Sequence, residues 1–217
     1  LMDSDSLFLH ADTLFTLPDD RQAGKGGHRN VTAYRNVRFF KSDMQGVCDT
    51  LVYSGADSLI RMFHHPALWS GNDQITGTHI RIQLANGSPH RLFVEGDGFL
   101  LSQADSVHFD QVTGSSMTGT FSNGELRHIL ADGNARTVYF ARENKNGEEV
   151  LMGVNRADCS RIAVALTEGR ISTVTFMERP DAILYPLDKA PAEEPRMKGA
   201  HWRIEERPME RAAIFEA

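Results

Sequence analysis

His64-His65 is the pair of residues in this chain whose type most readily suggests chemistry. Imidazoles ligate transition metals, but neighbours on an extended strand point to opposite faces, so the two cannot easily share one ion. They read instead as edge or loop histidines ahead of Pro66. His79, His90, His108 and His128 are scattered without a short two-ligand spacing, and no His-x-His occurs. Neither a metal nor another cofactor is expected. Nucleophilic catalysis fares no better. There is no Gly-x-Ser-x-Gly, and the glycines of Gly114-Ser115-Ser116-Met117-Thr118-Gly119 are too far apart for a strand-to-helix elbow. Gly24-Lys25-Gly26-Gly27 lacks both the Lys-Ser/Thr ending and the following helix of a phosphate loop. No catalytic residue emerges, and a non-enzymatic role is expected. Cys48 and Cys159 are the only cysteines. One disulfide in an oxidising compartment and two buried free thiols stand as equal readings.

The elements that would position any site are strands. Ile80-Arg81-Ile82-Gln83-Leu84, Met117-Thr118-Gly119-Thr120-Phe121 and Ile162-Ala163-Val164-Ala165-Leu166 alternate apolar and polar residues, and the pairs Leu92/Val94 and Val107/Phe109 keep the same rhythm. Period two marks strands with one buried face. Turn signals separate them: Asn86-Gly87, Gly96-Asp97-Gly98, Asn123-Gly124, Asp132-Gly133-Asn134, Asn146-Gly147 and Glu168-Gly169. The spacing predicts an all-β, antiparallel sandwich, barrel or roll, not strand–helix alternation. A weak echo around Gly46, Gly77 and Gly153 suggests a duplicated multi-strand unit, or else bulges in a sheet that must curve. Residues 18–30 read as a polar loop, and Leu7 to Asp12 as an edge strand. One β-domain is expected over 1–185, followed over 186–217 by a proline- and charge-rich tail that packs on the domain or leaves it, with Trp202 as an apolar anchor.

Composition narrows the function classes. The 217 residues are 41% hydrophobic, enough for a real core, and carry a net charge of −6. That balance argues against nucleic acid, which needs a basic face, and against docking on an anionic membrane surface. No apolar run reaches the length of a spanning helix. The start, Leu1 to Ser6, lacks the basic and apolar regions of a signal peptide, so a leader already removed is expected.

What remains is the apolar face itself. Ile80, Ile82, Leu92, Val94, Phe109, Met117 and Phe121 come from consecutive strands and should form one continuous strip. Either the strip lines an open groove for acyl chains or it is the interior of a sandwich that fills itself.

The ordered series from Val37-Arg38-Phe39-Phe40-Lys41-Ser42-Asp43-Met44-Gln45-Gly46 through Asp57-Ser58-Leu59-Ile60-Arg61-Met62, Pro66-Ala67-Leu68-Trp69-Ser70 and Asn72-Asp73-Gln74-Ile75-Thr76-Gly77 resembles the OstA-like, LptA-like proteins of Bacteroidetes-type envelopes. Gly153-Val154-Asn155-Arg156-Ala157-Asp158-Cys159-Ser160, Arg179-Pro180-Asp181 and Lys198-Gly199-Ala200-His201-Trp202 extend the likeness, which spans roughly residues 31–208. The resemblance implies a twisted, partly open antiparallel β-jelly roll with an apolar interior. It also implies a periplasmic location, lipopolysaccharide or lipid A as ligand, other envelope transport components as partners, and head-to-tail self-association through edge strands. It supplies no catalytic residues. A structural scaffold or adhesin-like β-domain of the envelope is the alternative, and a sugar-directed jelly-roll enzyme a distant third.

Overall fold

The computed structural model describes residues 6–18 and 29–215. Its strands are β1 (Phe8–His10), β2 (Thr13–Pro18), β3 (Arg29–Lys41), β4 (Met44–Ser54), β5 (Leu59–Phe63), β6 (Ala67–Ser70), β7 (Asp73–Thr76) and β8 (His79–Ala85), then β9 (Ser88–Gln103), β10 (Phe109–Ser122), β11 (Glu125–Lys145), β12 (Glu148–Thr167), β13 (Arg170–Met177) and β14 (Asp181–Pro186). All pair antiparallel in one 14-stranded sheet. The expected all-β class is what the chain adopts. Of the stretch expected as a loop at 18–30, Pro18 and Arg29 pair with each other across β2 and β3, and 19–28 lie outside the described residues.

A crease turns this one sheet into two layers. Five pairs of consecutive left-handed residues line up across it: Arg35-Asn36, His64-His65, Gly96-Asp97, Gly133-Asn134 and Glu178-Arg179. Backbone hydrogen bonds tie neighbouring strands together along the line, from the Asp49 N–H to the His64 carbonyl (3.2 Å), the Thr78 N–H to that of Gly96 (2.8 Å) and the Asp12 N–H to that of Arg35 (3.1 Å). Register shifts at Tyr34/Val37, Gly114/Ser116 and Asp132/Ala135 mark bulges on the same line, and bulges bend a strand and sharpen its twist. Two sequence expectations are corrected here. Gly96-Asp97-Gly98 and Asp132-Gly133-Asn134 are not hairpin turns but bends inside β9 and β11. The chemistry is the same, since both uses need positive φ. Asn86-Gly87, Asn123-Gly124, Asn146-Gly147 and Glu168-Gly169 do reverse the chain. The echo around Gly46, Gly77 and Gly153 is no structural repeat: Gly46 lies inside β4, Gly77 at the crease and Gly153 inside β12.

On one side of the crease lie β2, β5, β8 and β13 with the adjoining halves of β3, β4, β9, β10, β11 and β12; on the other lie β1, β6, β7 and β14 with the remaining halves. The two layers face each other as a jelly-roll-like fold around the main core. Phe39, Met44, Leu68, Ile75, Leu100 and Val112 come from one layer, and Ile60, Met62, Ile80, Ile82, Leu92, Val94 and Met117 from the other. At the far side the hairpin tips meet. A methyl added at Gly124 would lie 2.7 Å from the Asp43 carboxylate, and one at Gly71 would touch the Gly169 Cα at 3.9 Å. The β3–β4 tip thus opposes the β10–β11 tip, and the β6–β7 tip opposes β12–β13. Among the described residues two edge strands stand open to solvent: β2 is exposed along its whole length, including Leu14, Phe15 and Leu17, and so are Ile183 and Leu184 of β14.

After Pro186 the chain crosses the outer face as a strap. Met197 drops onto Val138, Phe140 and Val154, and Trp202 onto Val47, Ala67 and Trp69. Two buried glutamines grip its backbone. The Gln111 side-chain amide donates to the Pro195 carbonyl and accepts from the Met197 N–H, both at 2.8 Å. Gln74 does the same with the His201 carbonyl (2.8 Å) and the Arg203 N–H (2.7 Å). Each amide copies the pairing of a β-strand residue, so the strap is held without a strand of its own.

Candidate functional site

The inward face of the layer that contains β8 is built from two cross-strand rows. One runs Leu14, Ala33, Leu51, Met62, Ile80, Val94, Met117, Ala131, Ile162, Phe176. The other runs Thr16, Val31, Tyr53, Ile60, Ile82, Leu92, Gly119, Ile129, Val164, Val174. Each strand contributes one residue per row because alternate side chains share a face. At ~4.8 Å between strands, nine steps carry each row about 43 Å across the sheet.

Exposure changes along these rows. Ile80, Ile82 and Leu92 are 0% exposed, with Val94 and Met117 scarcely more, whereas Leu14 at one end is 50% exposed. Tyr53 towards one end, and Val174 and Phe176 at the other, are half-buried. The apolar track is therefore filled in the middle and open at its ends.

The sequence-derived strip is mostly one structural feature. Ile80, Ile82, Leu92, Val94, Met117 and Phe121 all line the same core. Phe109 does not belong with them. It lies on the opposite face, half-buried, with its ring 5.1 Å from that of Trp202 under the strap. Counting by twos from Met117 places Phe109 inward, but the bulge between Gly114 and Ser116 adds a residue and reverses the parity. Val107, its partner in that alternation, sits in the β9–β10 connection, exposed.

Sequence reasoning missed a polar seam at the far side of the core, where the tips close. Lys41, Ser70, Asp73, Ser102 and Asp110 point inward there and are buried. Lys41 pairs with Asp43 at 2.8 Å. Asp73, Ser102 and Asp110 lie side by side on β7, β9 and β10. Burial pushes the Asp73 carboxyl up to about 7, against the pull of Ser102 and with the Asp110 charge adding to the rise. Asp110 is pushed up to about 6 by burial, opposed by the Phe140 N–H that it accepts at 2.8 Å and by Arg142. The signal was isolated polar residues at inward positions, as in Asp73-Gln74-Ile75, which short runs do not separate from loop polarity.

The remaining candidates resolve simply. His64 and His65 form part of the crease, with φ of 58° and 56°. Among the described residues, no three His, Cys, Asp or Glu side chains gather as a metal shell. Cys48 and Cys159 are both free thiols, each donating to a backbone carbonyl two residues on, beside the crease. Burial pushes the Cys48 thiol up to about 12, which leaves it protonated and unreactive. No helix among the described residues is long and apolar enough to cross a membrane.

No protein-family model matches the sequence, and no curated protein does. Among solved structures, the chain is similar to LptH, the LptA-homologous periplasmic component of the lipopolysaccharide transport device of Pseudomonas aeruginosa, at 10% identity and a TM-score of 0.45, over 85% of this chain and 100% of that one.

Proposed function

We propose that this protein is a non-enzymatic lipid-handling module of the bacterial envelope that holds acyl chains of a lipopolysaccharide-type lipid between its two layers in the periplasm. The observation that carries this reading is the pair of continuous apolar rows whose buried middles run out into half-exposed side chains at both ends. Each methylene withdrawn from water is worth about 0.8 kcal/mol, so a partly covered chain is held usefully yet reversibly. Chains entering from either end run along these rows, beneath the hairpin tips that close the far side. The bare edges β2 and β14 supply unpaired backbone groups at opposite ends of the sheet and fit head-to-tail pairing of copies or of other envelope transport components.

A second reading, a scaffold or adhesin-like domain with a dry closed core, is favoured by the complete burial of Ile80, Ile82 and Leu92. Native mass spectrometry of the protein purified from its own envelope separates the two. Co-purifying lipid A species support the lipid reading. A mass equal to that of the bare chain in every preparation supports the scaffold.

A further inference from the structure

The polar seam at the far side is incompletely hydrogen-bonded. Asp73 Oδ1, Ser102 Oγ and Arg142 Nη2 are sealed from solvent and have no hydrogen-bond partner. Asp73 on β7 and Asp110 on β10 flank Ser102 of β9. Burial raises both carboxyls, and at Asp73 the Asp110 charge adds to the rise. Ser102 stands near enough to oppose the rise at Asp73 but is not aligned to bond it. Two cations face the pair. Arg142 lies 3.4 Å from Asp110. Arg207 of the strap is felt by Asp73, while its guanidinium is held by the Gly71 carbonyl and the Gln45 amide. Asp105 is a further anion near Asp110, and Lys41 at the other end of the seam is taken by Asp43. Across the seam the β12–β13 tip brings Glu168 and Arg170 to an open hollow that Asn72 and Arg142 line from the other layer.

Such a row is costly while the layers stay shut, because its unpartnered groups are cut off from water and a carboxylate that ionises there cannot be solvated. Both costs fall once the seam meets water. The fold supplies a motion that would bring water in. The layers are continuous through the crease, which β3, β9 and β11 cross at left-handed pairs and β10 at a bulge. Short bends of this kind are what absorb the backbone change in a hinge. On the far side the layers meet at hairpin tips. We propose that the seam is the clasp of a gate: the two layers part at the far side, about the crease, when Asp73 and Asp110 carry charge, and close when both are neutral. The sign follows from the closed form binding the extra protons, so acid shuts the gate and a rise in pH through neutrality opens it. The gate belongs to the bare chain. It rests on the lipid-handling reading only for what the opening admits, an acyl chain entering from the side as well as from the ends.

The test is electron paramagnetic resonance of paired nitroxides on the full chain at pH 5 and pH 8. Cys48→Ser and Cys159→Ser remove the native thiols and keep a donor for the carbonyls those thiols bond. Labels at Asn72→Cys and Glu168→Cys sit on facing tips of the two layers, and labels at Asn123→Cys and Glu168→Cys sit on two tips of the same layer. Spin–spin broadening of the facing pair is expected at pH 5 and should be largely lost at pH 8, with the same-layer pair unchanged. Asp73→Asn combined with Asp110→Asn should keep the facing pair broadened at both pH values. Should that variant not fold, Asp73→Asn alone leaves the Phe140 N–H bonded to Asp110 and is expected to remove at least half of the change. Equal broadening of the facing pair at both pH values overturns the proposal. So does an equal loss in both label pairs, or a loss that the asparagine variants leave undiminished. No lipid is present, so a fixed seam would remove the gate and leave entry from the ends standing, whereas the lipid-handling reading fails on its own if no lipid A species co-purifies with the chain.

Discussion

Replacing Gln74 with Leu keeps a similar volume in the sheet while removing the amide that grips the strap. Gln74 is buried, and its amide serves three partners: the His201 carbonyl at 2.8 Å, the Arg203 N–H at 2.7 Å and the Trp69 indole N–H at 3.3 Å. The two strap groups lie near the surface and can turn to water, so each lost bond costs about 1 kcal/mol. Trp69 is 0% exposed, so its N–H is left without a partner at about 1–3 kcal/mol. The sum is about 3–5 kcal/mol, large against the typical stability of a domain. Urea unfolding followed by tryptophan fluorescence measures it, and hydrogen exchange at the Arg203 amide reports whether the strap has loosened. Retained Arg203 protection with a stability loss below about 1 kcal/mol would refute the idea that glutamine amides clamp the strap.

Three further outcomes are expected. The buried carboxyls of Asp73 and Asp110 are raised in the fold to about 7 and about 6, so the folded state binds more protons than the unfolded state between the ordinary carboxylate range and about pH 7. Stability should therefore fall as pH rises through that window, and Asp73→Asn should flatten the fall when urea midpoints at pH 5 and pH 8 are compared. Gly153→Ala would drive a methyl into the Tyr185 carbonyl, so β14 must shift off β12, and a loss of about 1–3 kcal/mol with new exchange at Tyr185 is expected in thermal and exchange measurements. Phe15→Lys on the bare β2 edge should abolish concentration-dependent association in sedimentation velocity. A wild type that stays strictly monomeric at high concentration would remove the edge-pairing idea altogether.

Strand character was legible in the sequence wherever alternation was unbroken, as in Ile80 to Leu84, because a half-buried strand writes its two faces directly into residue order. The crease was not. Gly96-Asp97 and Asn123-Gly124 have the same left-handed chemistry, and only the pairing partners decide which one bends a strand and which one reverses it. Phe109 was misplaced for the same reason, since a single bulged residue inverts every face assignment beyond it. The polar seam was hidden because Asp73 is far along the chain from Ser102 and Asp110, and the three meet only through the β7–β9–β10 pairing. The strap grip was equally invisible: Gln74 and Gln111 look like ordinary strand polar residues until residues 195–203 are laid across them.

The most direct measurement places a photo-crosslinking side chain at Ile82 or Phe121, on the inward face, and at Arg81 or Thr120, on the outward face, and exposes each folded variant to lipopolysaccharide. Strong labelling from 82 and 121 with little from 81 and 120 is expected if acyl chains enter between the layers. Equally poor labelling from all four positions, in protein that remains folded, would mean that the apolar rows are only core and would contradict the lipid-handling role.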